Sequence, residues 1–174
     1  MGKITKLMKL VILPGNSHLN KEWAENASSF FSKDFEDRYV QNYLHWDNEQ
    51  DTINFEVEAK KLVENIGDTE CTILAKSAGA MLAIYCVSKN LIKPRKCIFV
   101  GLPVIWAKER NFDLEKWIQN FDIPTIVIQN SNDPVTSYAQ AKSFLDALHK
   151  ENIEIREIHG DDHTYDNFEI INNN

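Results

Sequence analysis

Cys71-Thr-Ile-Leu-Ala-Lys-Ser77-Ala-Gly79 starts as a short strand-like run and turns a corner of small residues into Ala78–Lys89. That second segment is apolar almost all round, which predicts a buried helix. An apolar strand running directly into a buried helix predicts a βα unit inside a covered sheet. The corner between them, Lys76-Ser77-Ala78-Gly79, falls just after the strand, where open α/β sheets bind their ligands.

The same alternation continues on both sides of this stretch. Before it, Leu7–Leu13 reads as a strand stopped by Pro14-Gly15. Lys21–Phe35 reads as a helix with Trp23, Ala27, Phe30 and Phe31 on one face. Arg38–Leu44 reads as a strand. Ile53–Ile66 reads as a helix, capped by Asp51 or Thr52 and ended by Gly67. After it come strands at Lys96–Val100, Pro124–Ile128 and Ile153–Ile158. Helices are predicted at Leu114–Phe121 and Tyr138–His149, with about one helical turn in the tail after Thr164. Alternating strands and helices predict an α/β fold: a three-layer α/β/α sandwich on about six parallel strands.

A chain of 174 residues suits one domain spanning 1–174. It is 43% hydrophobic and 26% charged, an ordinary globular composition. No apolar run is long enough to cross a bilayer. The basic start before Leu7 resembles a signal peptide, but its apolar run breaks at Pro14 after about five residues, too soon for one. The formal net charge of −7 argues against nucleic acid as a partner, since phosphate contacts need basic patches. Cys71, Cys86 and Cys97 are odd in number, widely spaced and set in apolar runs. They read as buried thiols and point to a cytoplasmic location.

The segments after the predicted strands supply a serine, an aspartate and a histidine, in the order Ser77, Asp133, His163. A serine hydroxyl needs an imidazole to take its proton and an acid to orient that imidazole. Each residue also has a plainer reading. Ser77 could cap the following helix. Asp133 could make the turn that Asp-Pro favours. His159 rivals His163, and the two could ligate a metal with Asp161 or Asp162, although Gly160-Asp-Asp favours a turn over a ligating helix face.

Ala75-Lys76-Ser77-Ala78-Gly79 resembles the nucleophile elbow of the α/β hydrolases, with Ala75 in place of the usual first glycine. The order Ser, Asp, His is also that family's. The strand-Pro-Gly-Asn start resembles the short serine hydrolases of the retinoblastoma-binding protein 9 and YdeN type. The resemblance implies strand order 2-1-3-4-5-6 and catalytic roles for Ser77, Asp133 and His163. It implies an oxyanion hole from the N–H groups of Asn16 and Ala78, with no metal or organic cofactor. It also implies a small acyl substrate, such as an ester.

Candidate pocket residues are His18, Trp46, Lys76, Leu102, Pro103 and Trp106. Trp46 could wall the pocket or pack in the core. Lys76 could draw anionic substrates or simply be solvated. No long insertion follows Gly101, so a large lid is not expected. Two other functions compete. One is a catalytically silent binding module on the same fold. The other is a flavodoxin-like nucleotide binder, disfavoured because Pro14-Gly-Asn-Ser-His carries a single glycine where a phosphate loop needs several.

Overall fold

The computed structural model describes residues 8–48 and 50–174. Six parallel strands form one sheet: β1 (Lys9–Leu13), β2 (Arg38–Val40), β3 (Cys71–Lys76), β4 (Lys96–Val100), β5 (Thr125–Asn130) and β6 (Ile153–Ile158). Their order is β2-β1-β3-β4-β5-β6, as expected. β1 is interior, pairing Leu10 with Arg38 on one side and Lys9 with Cys71 on the other.

Among the described residues, seven helices connect and cover the sheet: α1 (Asn20–Phe30), α2 (Phe55–Ile66), α3 (Ala78–Ser88), α4 (Val104–Glu109), α5 (Leu114–Gln119), α6 (Tyr138–Leu148) and α7 (Phe168–Asn173). Side chains alternate across a strand, so each strand feeds two cores. Val11, Leu13, Ile73, Ala75, Phe99 and Val127 face the larger core, which includes Leu62 of α2, Met81 of α3, Ile118 of α5 and Leu145 of α6. Leu10, Ile12, Leu74, Val100 and Ile128 face the smaller core, closed by Trp23 and Ala27 of α1 and by Phe168 and Ile171 of α7. The layers are therefore unequal, with most helices on one face.

Several boundaries differ from the sequence reading. α1 ends at Phe30 and tightens into a 3-10 turn over Phe31–Lys33. β2 stops at Val40, and Leu44 opens a second 3-10 turn, Leu44–Trp46. The cap of α2 is neither Asp51 nor Thr52: the Asn54 side chain accepts from the Val57 N–H. β5 runs on to Asn130, because Ser131 still pairs with Ile158 of β6. The sequence pattern predicts no helix at α4. Its six residues are too few for a periodic signal, and Pro103 before them reads as a breaker. α4 packs on α5 and α6, so the β4–β5 connection belongs to the outer layer rather than forming a large lid.

Candidate active site

Ser77 sits at the β3–α3 corner with φ 52° and ψ −120°, a backbone conformation that disfavours any side chain. It makes no side-chain cap bond to α3, so the plain capping reading fails. Its own N–H donates to the Val100 carbonyl at the end of β4, 3.0 Å away. The corner is possible because its neighbours are small. A Cβ on Gly79 would lie 2.2 Å from the Leu13 carbonyl oxygen and 2.6 Å from that of Pro14. Glycine there lets α3 start directly against the end of β1. Ala75 is fully buried, and the sheet accommodates its methyl where the elbow usually has glycine.

Asp133 lies just past β5, with its side chain fully enclosed. Its Oδ1 accepts the Val135 N–H (2.8 Å) and that of Thr136 (3.3 Å). Its Oδ2 accepts His163 Nδ1–H at 2.7 Å and the Tyr165 hydroxyl at 2.6 Å. Burial alone would raise this carboxyl's pKa. The bonds from His163, Tyr165 and Val135 outweigh it and hold the pKa below the ordinary aspartate value. With Nδ1 donating to the carboxylate, the His163 ring keeps its lone pair on Nε2. That atom is buried and has no hydrogen-bond partner among the described residues.

Gly101 joins these two groups. It follows Val100, which holds the Ser77 N–H, and a Cβ at Gly101 would lie 2.8 Å from His163 Cε1 and 2.6 Å from Tyr165 Cε2. The serine corner and the histidine ring thus flank the same turn at the end of β4. The histidine loop is itself tied to β5: Asn130 Nδ2 donates to the Asp162 carbonyl, and Asn132 N–H to that of Gly160. His159 is exposed on this turn. Among the described residues, no cluster of His, Cys, Asp or Glu could hold a metal ion.

Asn16 is fixed on four sides. Its Oδ1 accepts Ile53 N–H at 2.9 Å, and its Nδ2 donates to Asp51 carbonyl at 2.7 Å. Its backbone oxygen accepts both His45 Nε2–H (2.7 Å) and Trp46 Nε1–H (2.8 Å). Among the described residues its own N–H has no protein acceptor. The Ala78 N–H opens α3, where a helix leaves its first donors unpaired. It also stands beside the close approach of Gly79 to β1, just before Asn16.

The expected pocket residues divide. His18 and Trp46, with Asn16, His45, Gln50 and Asp51, line a cavity of about 390 Å³. Trp46 has both roles considered for it, since its ring also packs on the larger core. Leu102 does not line a pocket: it is 1% exposed within the larger core, and its N–H donates to buried Gln129. Pro103 is also buried, and Trp106 packs on Phe112 with Arg110 over its ring. Lys76 is not solvated. It is 6% exposed, with its ammonium 5.5 Å from the centre of the Trp23 ring. Burial pushes it down to about 8, against the pull of Asp166, Asp133 and Asp162.

Two further residues, Tyr165 and His45, fasten the site. Tyr165 stands two residues past His163, in a positive-φ conformation that turns its hydroxyl back to Asp133. No sequence motif marks that turn. His45 was visible at a strand end, but its buried bond to Asn16 depends on the 3-10 turn at Leu44.

No family model matches the sequence, and neither does any curated protein. Solved structures do match. The esterase Est1E from Butyrivibrio proteoclasticus, with ferulic acid bound, superposes with a TM-score of 0.71 at 12% identity, covering 99% of this chain and 89% of its own. A protein described as a YdeN-like hydrolase from Pectobacterium atrosepticum gives 0.67 at 15% identity over 93% and 82%. An esterase from Pyrococcus furiosus gives 0.69 at 11% identity over 97% and 78%. At such identities the likeness is one of fold.

Proposed function

We propose that this chain, which has the α/β-hydrolase fold, is a serine hydrolase that cleaves small esters or related acyl substrates. One observation carries the reading. His163 is oriented by a buried aspartate through Nδ1, while its buried Nε2 has no partner and lies across the Gly101 turn from the strained Ser77 corner. His45 also leaves a ring nitrogen unpartnered, Nδ1, but it bonds a backbone carbonyl, whereas His163 is held by a buried carboxylate beside the serine corner. The esterases among the structures of like fold favour the same chemistry.

In this reading, Ser77 Oγ attacks the acyl carbonyl carbon and its proton passes to His163 Nε2. The ring becomes cationic, and Asp133 stabilises it without taking the proton. The carbonyl oxygen carries the negative charge and accepts from the Ala78 and Asn16 N–H groups. As the tetrahedral centre collapses, His163 returns the proton to the leaving alcohol and the acyl group stays on Ser77. Water then repeats the sequence, with His163 again as base, and releases the carboxylic acid. Only side chains and backbone donors take part, with no cofactor. The acidic balance suits a small-molecule substrate better than nucleic acid. Three unbridged, buried cysteines fit a cytoplasmic setting.

A fluorophosphonate probe tests the proposal. Covalent labelling of the wild-type protein, lost in Ser77→Ala, is the expected result. Labelling that survives the substitution, or none at all, overturns it.

A further inference from the structure

Lys76 is the last residue of β3 and shares a strand face with Leu74, so its side chain leaves the sheet toward α1 and α7. It ends on the floor of a cavity of about 350 Å³, whose walls include Asn20, Trp23 and Asn26 of α1 and Thr164, Asp166 and Phe168 beyond the histidine. The Trp23 ring faces the ammonium, and the ring's own N–H is taken by the Tyr165 carbonyl. Among the described residues, no acceptor stands within hydrogen-bond range of Lys76 Nζ and no carboxylate within ion-pair range. An ammonium has three donors and no acceptor of its own. Nζ opens on the cavity, so its cost is that of a partly desolvated charge left without a protein partner. The aromatic face offsets part of that cost but accepts no hydrogen bond.

We infer that this cavity is a binding site for a small monocarboxylate, whose oxygens accept from Lys76 Nζ. The side-chain amide of Asn26 lines the same cavity as a further donor, whereas the Thr164 hydroxyl already donates to Asp162 Oδ1. Asn20 is less free, since its Nδ2 already donates to the Ser17 carbonyl. Charge limits the ligand. Glu22 and Asp166 also line the cavity, and Asp162 and Asp133 act on the ammonium from the histidine loop and from β5. Together these carboxylates oppose a doubly charged anion such as phosphate. They oppose a single negative charge less, and a hydroxyl or amino group at the ligand's other end would meet Glu22 or Asp166.

This cavity shares no lining residue with the one beside Asn16. Thr164 and Asp166 flank Tyr165, which binds the acid that orients His163. A carboxylate here therefore sits beside the loop that carries His163, and the inference does not depend on the hydrolase proposal.

The test is an NMR titration of the full chain with acetate, lactate and inorganic phosphate. The readouts are the Lys76 side-chain resonances and the Thr164 amide. Acetate is expected to give a saturable shift with a Kd on the order of 1–10 mM, and lactate a tighter one. Phosphate should bind more weakly than either. Ser77→Ala should keep the acetate response, whereas Lys76→Met should lose it at Thr164. If Lys76→Met does not fold, wild-type protein at a pH well above 8 serves instead, since the uncharged amine should release acetate. No saturable shift, a response that survives Lys76→Met or the high pH, loss in Ser77→Ala, or tighter binding of phosphate would each overturn the inference. Failure of fluorophosphonate labelling would leave it standing.

Discussion

The Tyr165 hydroxyl and the His163 ring donate to the same oxygen of Asp133, Oδ2, at 2.6 and 2.7 Å. The hydroxyl also accepts the Asn130 N–H at 2.9 Å, so Tyr165 ties the acid to the end of β5. Tyr165→Phe removes one donor from the carboxylate and orphans a buried N–H. It should cost about 1–2 kcal/mol of stability and lower kcat by about tenfold through a less well-held His163. Asp133 has a depressed folded pKa. Its stabilising contribution is therefore complete above the unfolded value and lost as pH falls through the folded one. Without Tyr165 that folded pKa rises toward the unfolded value, so the variant has less of this stability to lose and should be the less acid-sensitive of the two. Urea unfolding at pH 7 and near pH 4 measures both effects. Equal acid sensitivity in the two proteins would refute the account.

The Ser77 corner holds a non-glycine residue at φ 52°. Ser77→Gly should abolish ester hydrolysis and raise stability by about 1 kcal/mol, because glycine adopts this conformation without steric cost. Thermal unfolding with an ester assay checks both halves. A destabilised Ser77→Gly would mean that the corner is not strained.

Trp46 and His45 clamp the Asn16 carbonyl. If Asn16 serves the oxyanion, its placement matters most when the carbonyl oxygen is charged. Trp46→Phe should then lower kcat by about tenfold with little change in KM. Steady-state kinetics on a p-nitrophenyl ester decides it. A raised KM at constant kcat would make Trp46 a substrate wall instead.

Lys76 carries the opposite pH sign to Asp133. Its folded pKa, about 8, lies below the unfolded value, so the unfolded chain binds the proton more tightly. The penalty is complete below about 8 and is relieved as pH rises toward the unfolded value. Lys76→Met should therefore stabilise the protein at neutral pH, on the order of 2 kcal/mol. Its advantage should shrink between about pH 8 and 10. Chemical denaturation across that range tests the sign.

Parallel strands that alternate with helices are legible because strands buried on both faces are continuous apolar runs. That is why β1 and β3 stand out in the chain, whereas β6, at the sheet edge, alternates Ile with charged residues. The site is legible for a related reason: in such a sheet, chemistry gathers where strands end, and Ser77, Asp133 and His163 each follow one. Side-chain direction is not legible. Leu102 and Lys76 both neighbour the strand ends, yet one turns into the larger core and the other lies against Trp23. Tyr165 was hidden because its role arises from a single backbone conformation. The resemblance points to the Asn16 N–H, but its side chain and carbonyl do the fastening, to partners some thirty residues away.

The interior position of β1 has a kinetic consequence. Every rung of this sheet is parallel, so no neighbouring strands can zip from a tight turn. The β1–β3 rung, from Lys9 with Cys71 to Leu13 with Ala75, closes the longest loop of all and has the largest chain-entropy cost. The Gly79 contact with Leu13 and Pro14 spans that same seam. The nucleophile corner and the Asn16 loop thus come together only when the most demanding step of refolding is complete, and activity should return no earlier than that seam closes.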